Sequence, residues 1–173
     1  DAERIGHVVD ISYENNSESL LQEMAKKHIM VEINLTSNKE ILGVYGKDHP
    51  LLLYLSCHVP VALSTDDEGV LRSDLVQEYK YAVKTYHFRY SALKRFARNS
   101  LSYSFLGGKN LWKDRDGFIP VVACSQDVLG SPHPSFNCRA FLNKSTKARL
   151  QWKLEGQFHQ FEGRAQFTRR WQV

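Results

Sequence analysis

The chain has 173 residues, of which 42% are hydrophobic and 24% are charged, as in an ordinary globular domain. This composition excludes disordered and collagen-like proteins, and no apolar run approaches the roughly 20 residues of a membrane-spanning helix. Lysine and arginine outnumber aspartate and glutamate by 23 to 19. Because this excess of positive charge is small and dispersed, it does not favour a nucleic-acid partner.

The three cysteines, Cys57, Cys124 and Cys138, bear on the cellular compartment. They cannot all pair within one chain, and none has the C-x-x-C spacing of a metal site. We therefore expect reduced cysteines in a cytoplasmic protein. The sequence starts without Met and reaches strand-like residues within its first five positions, so we expect an internal or truncated piece. A secreted form stays open, because a signal peptide could precede such a piece.

Three stretches of the chain share one plan, in which an apolar strand ends in polar residues and is followed by a helix. We predict the strands at Arg4–His7, with an extension to Val9 left open, at Val31–Asn34 and at Pro60–Ser64. Their starts are about 30 residues apart, which is the length of one strand and helix when a barrel of roughly 250 residues is divided by eight. An α/β fold with parallel neighbouring strands is therefore predicted.

Helices are predicted between and after these strands, where apolar side chains recur at helical spacing. The first helix follows the cap Asn16-Ser17, and the second opens at Asp48-His49-Pro50. Two more run from Leu75 to Tyr86 and, with Ser91 as a cap, to Leu101.

The remainder of the chain has a less regular pattern. Gly107-Gly108 ends the helical spacing, and a loop-rich stretch reaches Asn143. A final helix is predicted from Ser145, and Asp114-Arg115-Asp116-Gly117 is typical of a turn. No independent second domain is indicated.

Polar side chains follow each predicted strand at the point where it ends. They are His7 after the first strand, Thr36-Ser37-Asn38 after the second and Thr65-Asp66-Asp67 after the third. Each cluster alone is typical of a turn, a cap or a structural histidine. Because the carboxyl ends of parallel strands form the mouth of a barrel, these equivalent positions in successive repeats predict one shared site.

Asp66 and Asp67 are adjacent carboxylates, which repel each other unless a cation or a hydrogen-bond donor compensates them. A divalent metal ion is a natural counterion. Zinc binds a carboxylate oxygen together with imidazoles and keeps one position for a water molecule, which it activates. We therefore predict that one aspartate enters the mouth as a ligand, and that His7 orients the water and carries a proton.

An ordered set of short motifs resembles the adenosine deaminase family, which includes adenosine, adenine and AMP deaminases. The motifs are Arg4-Ile5-Gly6-His7, Val31-Glu32-Ile33 with Thr36-Ser37-Asn38, His49-Pro50 with Leu51, Val59-Pro60-Val61 with Ser64-Thr65-Asp66-Asp67, then Leu75, Glu78-Tyr79, Asn99-Ser100 and Ser104-Phe105. The resemblance covers about residues 3 to 106 and a terminal helix from Ser145 to Glu162. The order of the motifs, rather than any single motif, makes it specific.

These motifs match the carboxyl-terminal half of the family. The resemblance implies an α/β fold that is the carboxyl-terminal part, about strands six to eight plus the terminal helices, of a TIM-type (β/α)8 barrel. It assigns residues 1–173 to this half of a metal-dependent deaminase barrel, with residues 107–173 as a loop-rich extension and terminal helix that pack on it. The missing amino-terminal half of the barrel is then an expected partner.

The resemblance also implies roles for three residues. Asp66 is similar to the family's zinc-ligating aspartate, and Asp67 to a neighbouring carboxylate that hydrogen-bonds a purine ring nitrogen. His7 resembles the histidine that positions the zinc-bound water for attack on C6 of adenine, after which ammonia leaves. Ser37 and Asn38 match a family signature that supports these residues. The implied function is zinc-dependent hydrolytic deamination of adenosine or a related adenine derivative to the inosine-type product.

Several residues depart from the family pattern. Val8 and Glu68 stand where Gly and Pro are common, and Asn34 and Leu35 stand where Cys and Pro are frequent. The chain contains no His-x-His, although the family's zinc site needs such a pair, a further His and a proton-donating Glu on earlier strands. We therefore expect one Zn²⁺ per complete active site, with the remaining ligands outside this chain and the chain inactive alone.

Two other functions are alternatives to a deaminase. A catalytically inactive barrel fragment would act as a purine-binding or protein-interaction module. A basic nucleic-acid-binding domain would need interleaved aromatic side chains and concentrated charge, which the chain lacks, so we expect neither a nucleic-acid nor a membrane partner. Upstream sequence with His-x-His and a His-Ala-Gly-Glu-like segment would favour the deaminase over the inactive module.

Overall fold

A computed structural model describes residues 2–164, and the chain divides into two compact units, Asp1–Tyr103 and Ser104–Val173. Each unit has its own cluster of buried apolar side chains. The expectation that no independent second domain follows the first stays a prediction, because two compact units need not fold independently. The packing of residues 107–173 on the barrel part stays a prediction, and residues 165–173 of that extension lie outside the described residues.

The first unit contains a parallel sheet of three strands in the order β1-β2-β3. The strands are β1 (Arg4–Gly6), β2 (Met30–Ile33) and β3 (Val61–Leu63). Val31 is opposite Ile5 on one side and Val61 on the other. The predicted strands and their parallel pairing are confirmed. They form because short β-branched apolar runs, about 30 residues apart, favour neighbouring strands connected by helices.

Side-chain alternation gives this sheet two different faces. Val31, Ile33, Val61 and Leu63 belong to the main apolar cluster on the helix side. On the opposite face, Arg4 on β1 forms an ion pair with Glu32 on β2, and the Arg4 Nε donates to Glu32 at 2.6 Å. One face thus packs in the main hydrophobic core, whereas the other carries this ion pair together with a smaller buried cluster of Met30, Ala62 and Tyr103.

Six helices follow the strands of the first unit. They are α1 (Ser17–Lys26), α2 (Leu35–Leu42), α3 (Leu51–Ser56), α4 (Glu68–Leu71), α5 (Leu75–Tyr86) and α6 (Tyr90–Ser102), with short 3-10 helices at Ile11–Tyr13 and Gly46–Asp48. The predicted helices correspond to α1, α3, α5 and α6, so their existence is confirmed.

The prediction that Ser91 caps a helix is wrong, because Ser91 lies inside α6, which follows Arg89. The second helix begins at Leu51 rather than at Asp48. Asn16 precedes α1 without a side-chain capping hydrogen bond. Sequence patterns predicted neither α2 nor α4.

The structure has helix α2 where the sequence pattern indicates a polar loop after the second strand. It begins at Leu35, directly after buried Asn34, and ends at Leu42. The next residue is the C-cap Gly43, whose φ of +67° is the left-handed conformation that glycine adopts without strain. Its short length and polar residues conceal the helical spacing, so only Leu35 marks its buried face. The helix places the Ser37-Asn38 motif in its first turns, at the carboxyl ends of the strands.

The second unit begins with an antiparallel hairpin of β4 (Trp112–Asp114) and β5 (Ile119–Pro120). The Asp114 carboxylate accepts hydrogen bonds from the backbone N–H groups of Asp116 at 2.9 Å and Gly117 at 3.3 Å. These bonds close the turn that the sequence predicted. A short 3-10 helix follows at Val122–Cys124.

Two helices complete the described part of the second unit. Helix α7 (Phe136–Asn143) lies at the end of the stretch expected to be loop-rich, and the expectation is wrong for these residues because Ser135 caps a helix by accepting from the Cys138 N–H at 3.4 Å. Helix α8 (Thr146–Arg164) confirms the predicted terminal helix. The Ser145 hydroxyl accepts from the Ala148 N–H at 3.0 Å, so it caps α8 as the sequence indicated.

A disulfide between Cys124 and Cys138 links the 3-10 helix of the second unit to α7. The expectation of reduced cysteines is wrong for this pair, and only Cys57 is free in the described part of the chain. An odd number of cysteines concealed the pair, because pairing depends on proximity in the fold. The cytoplasmic location, which rested on reduced cysteines, stays a prediction. Among residues 2–164, no helix combines the length and apolarity needed to cross a membrane.

Candidate active site at the carboxyl ends of the strands

The structure brings His7 and Asp66 together at the carboxyl ends of β1 and β3. The His7 Nε2 lies 3.8 Å from the Asp66 Oδ2, and both side chains are partly exposed, by 40% and 36%. Both residues have left-handed backbone conformations, with φ of +65° and +60°. Non-glycine residues adopt this conformation at an energetic cost, and such strain is concentrated at functional sites.

Ser37 on α2 holds the Asp66 carboxylate. Its hydroxyl donates to the Asp66 Oδ2 at 2.6 Å, and Ser37 itself is buried. No hydrogen bond from the described residues reaches the Asp66 Oδ1. One carboxylate oxygen is therefore fixed, whereas the other is available to a cation or to a donor on a ligand.

Asn38, on the next position of α2, contacts two histidines. Its Nδ2 lies 3.0 Å from the His7 Nδ1, and its Oδ1 lies 3.0 Å from the His49 Nε2. The backbone N–H of Leu51 donates to the His49 Nδ1 at 3.1 Å. Asn38 and His49 are both buried, and burial lowers the pKa of His49 to about 4.

Glu78 on α5 fixes the start of α2. Its fully buried carboxylate accepts from the Thr36 N–H, at 3.2 Å to Oε1 and 3.3 Å to Oε2. A negative charge at the N-terminus of a helix is favourable because the first backbone N–H groups have no partners within the helix. Glu78 therefore holds the turn that presents Ser37 and Asn38 to the site.

Asp67 lies at the start of α4 rather than beside His7, unlike the adjacent Asp66. Its Oδ1 accepts from the Val70 N–H at 3.2 Å, so Asp67 is the N-terminal cap of α4. The residue is exposed, and no contact with His7 is present in the described part of the chain. The structure brings Asp66, but not Asp67, into contact with His7.

Asn34 lies beside the ring of His7. Its Nδ2 is 3.4 Å from the His7 Nδ1 and 3.3 Å from the Nε2. The residue is 2% exposed, and its Oδ1 is buried without a hydrogen-bond partner within the described residues. This is one of the positions at which the sequence departs from the family pattern.

Sequence analysis missed two residues of this arrangement. The sequence predicts His49 both at a helix start and in a family motif, and Glu78 in a helix motif shared with the family, but it assigns neither a role at the site. The signals were weak, because Glu78 interrupts the apolar face between Leu75 and Tyr79, and a histidine before Pro50 is ordinary at a helix start. Only the tertiary contacts reveal what they bind.

The residues present were tested for their fit to a metal ion. Among residues 2–164, no group of three or more His, Cys, Asp or Glu side chains lies close enough together to hold one. Asp66 offers an exposed, oriented carboxylate, which suits one ligand position. A catalytic zinc ion usually needs at least three protein ligands. The described part of the chain thus fits one ligand of a zinc site, and it does not form a complete metal centre.

A comparison with protein-family models identifies the group to which this site belongs. The model described as adenosine deaminase matches residues 1–115. The chain belongs to the adenosine deaminase family. The family predicted from the motifs is thereby confirmed. The match includes all three strands and the residues around His7 and Asp66, whereas α7 and α8 lie beyond it.

Curated relatives in this family carry two kinds of name. Adenosine deaminase of Clostridium kluyveri is 25% identical over 122 residues, which are 70% of this chain and 34% of the relative. The N6-methyl-AMP deaminases of Danio rerio and Bos taurus are 35% and 32% identical over 106 residues, which are 60% of this chain and 30% of each relative. The chain therefore spans about a third of the length of the curated relatives it matches.

Solved structures of the family share the fold of the first unit. Adenine deaminase from Arthrobacter aurescens has a TM-score of 0.54 at 23% identity, over 61% of this chain and 32% of that chain. The apo N6-methyl-AMP deaminase from Arabidopsis thaliana has a TM-score of 0.52 at 27% identity, over 61% and 30%. These neighbours are TIM barrels, and the α/β fold class is confirmed.

Proposed function

We propose that this chain forms the carboxyl-terminal part, about strands six to eight, of a deaminase (β/α)8 barrel and supplies one half of its active site. The reaction is the hydrolytic deamination of an adenine derivative. The single observation that carries the proposal is the 3.8 Å approach of His7 to Asp66 at the carboxyl ends of parallel strands. In barrel enzymes this end of the sheet holds the reacting groups.

Asp66 is the zinc ligand in this proposal. Ser37 holds one carboxylate oxygen, so that the carboxylate is oriented before a metal ion binds. Zinc, when bound, supplies activation of a water molecule at neutral pH. The remaining ligands come from the amino-terminal part of the barrel, which we propose as the partner of this chain.

His7 orients the attacking water in this proposal. In the overall reaction the water oxygen bonds to C6 of adenine, the bond from C6 to the exocyclic nitrogen breaks, and ammonia leaves. The ring nitrogen nearest to Asp66 is the Nε2, which therefore faces the place where the water is held.

Asp67 contacts the purine in this proposal. Its Oδ1 caps α4, which fixes the direction of the carboxylate and leaves Oδ2 without a hydrogen bond from the described residues. A purine ring nitrogen that shares a proton with this oxygen would be held beside Asp66. Loss of the carboxylate is then expected to weaken purine recognition, because a desolvated ring nitrogen would lose its partner.

The names of the relatives support a proposal for the substrate class. They include adenosine deaminases and N6-methyl-AMP deaminases, and the latter match at 35% and 32% identity. We propose an adenine nucleoside or its 5′-monophosphate as substrate, with the amine at C6 free or methylated. The product is the inosine-type nucleoside or nucleotide.

The test uses the complete protein, with the sequence that precedes this chain, and measures zinc content and release of ammonia or methylamine. Asp66→Ala is expected to lower zinc content and activity together, because removing an anionic ligand weakens the site. Asp67→Ala is expected to raise KM for the purine with zinc content unchanged. Glu40→Ala, which removes an exposed carboxylate on α2, is the matched control and changes neither.

Three outcomes would contradict the proposal. Full zinc occupancy with near-normal turnover in Asp66→Ala would show that Asp66 is not a zinc ligand. Unchanged KM in Asp67→Ala would remove the purine contact. A complete protein that binds purine but releases no amine from any of these substrates would be the inactive binding module instead.

A further inference from the structure

A chain of hydrogen bonds runs from the backbone of α3 to His7. It joins the Leu51 N–H to His49, His49 to Asn38, and Asn38 to His7. We infer that Asn38 and His49 are positioning residues that fix His7 in the tautomer with its proton on Nε2, so that this N–H is directed toward Asp66. The inference deepens the proposed function, because it assigns what His7 offers to the site.

The direction of this series of hydrogen bonds is determined by the backbone N–H of Leu51. A backbone N–H can only donate, so the His49 Nδ1 that lies 3.1 Å from it must accept and carries no proton. A neutral imidazole has one N–H, which is therefore on Nε2. His49 is 3% exposed, and burial keeps its pKa near 4, so the ring is neutral at neutral pH.

The side-chain amide of Asn38 links His49 to His7, with its oxygen as acceptor and its NH2 group as donor. The His49 Nε2–H donates to the Asn38 Oδ1 at 3.0 Å, which turns the amide Nδ2 toward the His7 Nδ1, also at 3.0 Å. The reversed amide would give His49 two accepting nitrogens and no proton, which a neutral imidazole cannot have. Asn38 has no exposed surface, so water cannot relieve such a mismatch.

His7 is the last side chain in this series of hydrogen bonds. Its Nδ1 accepts from Asn38, so in the neutral ring the proton is on Nε2, the nitrogen 3.8 Å from the Asp66 Oδ2. Asn34 does not alter this assignment, because its Nδ2 is nearly equidistant from both ring nitrogens and therefore lies along neither in-plane direction. His7 thus presents a donor to the site.

This assignment has a chemical consequence for the proposed reaction. A donor at Nε2 orients an oxygen by hydrogen-bonding to its lone pair. Removal of a proton from water by the same nitrogen would require the other tautomer, in which the His7 Nδ1–H would face the Asn38 N–H at 3.0 Å. Because two donors at this distance are unfavourable, the network favours orientation of the water over proton abstraction by His7.

The test measures the histidine tautomers directly. Long-range 1H–15N correlation spectra of the complete protein, labelled at histidine nitrogens, distinguish Nε2–H from Nδ1–H rings. The spectra are expected to show the Nε2–H pattern for both His7 and His49. His7→Gln and His49→Gln assign the signals. The Nδ1–H pattern at His7 in the wild-type protein would overturn the inference.

Substitutions of Asn38 and His49 change which groups donate and which accept in these hydrogen bonds. In Asn38→Asp both side-chain oxygens accept, so His7 is expected to place a proton on Nδ1. The expected kcat falls about 10- to 100-fold with KM little changed, because His7 then presents an acceptor instead of a donor to the water that it orients, and groups that act on the attacking water contribute about 10²–10⁴-fold. His49→Ala frees the Asn38 amide and gives a mixed His7 pattern, whereas His49→Gln keeps a donor and retains most of the kcat.

The controls separate this inference from the proposed function. His133→Ala removes an exposed histidine of the second unit and is expected to leave the His7 signals and kcat unchanged. A protein with the Nε2–H pattern but without deaminase activity would overturn the proposed function alone. An active deaminase in which Asn38→Asp folds and leaves both the His7 pattern and kcat unchanged would overturn the inference alone. If Asn38→Asp does not fold, the wild-type spectrum still decides.

Discussion

The two units of the chain are stabilised by different means. The first has a three-stranded parallel sheet with helices on its apolar face, whereas the second has a two-stranded hairpin, a disulfide and a separate apolar cluster. Within the described residues, β1 and β3 each pair on one side only. Edge strands with free backbone groups require a partner or a cover. We therefore propose that the first unit depends on further strands, whereas a disulfide cross-links the second.

The buried polar groups of the two units also serve different purposes. In the second unit, Gln151 accepts from the Leu111 N–H at 2.8 Å and Trp152 donates to the Ser131 carbonyl at 2.9 Å, so these groups hold its own segments together. In the first unit, the buried Ser37 and Asn38 lead outward to the partly exposed side chains of Asp66 and His7. Polar networks that end at exposed groups can act on a ligand. Changes in the first unit should therefore alter activity, and changes in the second should alter stability.

The largest expected effect is the loss of all activity in the isolated chain. Residues 1–173 expressed alone offer one zinc ligand, so they are expected neither to hold zinc tightly nor to release ammonia from adenosine. With two unpaired sheet edges, the first unit is expected to associate or to unfold without cooperativity. The measurements are zinc content, ammonia release and oligomeric state. A cooperatively unfolding monomer would contradict the half-barrel, and zinc-dependent ammonia release from it would contradict the mechanism.

A smaller but still large effect is expected from His7→Gln in the complete protein. Orienting and acid–base groups contribute about 10²–10⁴-fold to turnover, so kcat is expected to fall by that factor. Zinc content should be retained, because His7 is not assigned as a ligand. His133→Gln in the second unit is the matched control. Loss of zinc in parallel with kcat would mean that His7 binds the metal rather than water.

The second unit is expected to respond to loss of its disulfide. A cross-link over a sequence separation of 14 residues stabilises a fold by roughly 3 kcal/mol in the chain-entropy model. Cys124→Ser with Cys138→Ser should lower the free energy of unfolding by about this amount, measured by urea denaturation with tryptophan fluorescence. Trp112 and Trp152 report on this unit, since both belong to its apolar cluster.

The remaining cysteine provides the control for this prediction. Cys57→Ser changes a free, half-buried thiol of the first unit and leaves the disulfide intact, so the unfolding that Trp112 and Trp152 report should be unchanged. Deaminase kinetics of the complete protein should be unaffected by the double substitution. An equal loss of activity would show that the two units are not independent in function.

Sequence patterns predicted the first unit better than the second, and the reason is physical. Three strands recur at nearly equal spacing, so their pairing follows from the repeat. Two of them, β2 and β3, also have consecutive buried apolar residues, whereas β1 is more exposed. Helix α7 and the disulfide have no such repeat. The Ser135 cap and the Cys124–Cys138 bond involve residues whose proximity only the folded chain defines.

The candidate site was predicted to a similar, partial extent. His7 and Asp66 were found because both follow strands, and the ends of parallel strands meet at one edge of a sheet. Glu78 and His49 were not found, because their contacts join residues 42 and 11 positions apart through buried side chains. Polar residues at strand ends can be recognised in the sequence. The hydrogen bonds that orient their side chains depend on how the folded chain packs.

The smallest expected effect is a pH dependence of stability that arises in the first unit alone. Burial lowers the pKa of His49 in the folded protein from 6.5 to about 4. Between these values the unfolded chain binds a proton at His49 that the folded chain excludes, so stability is fully present above pH 6.5 and falls as the pH decreases toward 4. One pH unit corresponds to about 1.4 kcal/mol, so at about pH 5 the loss is about 2 kcal/mol. Urea titrations of wild type and His49→Gln at several pH values measure it, and the variant should lack this part of the slope. An identical slope in both proteins would show that His49 does not cause it.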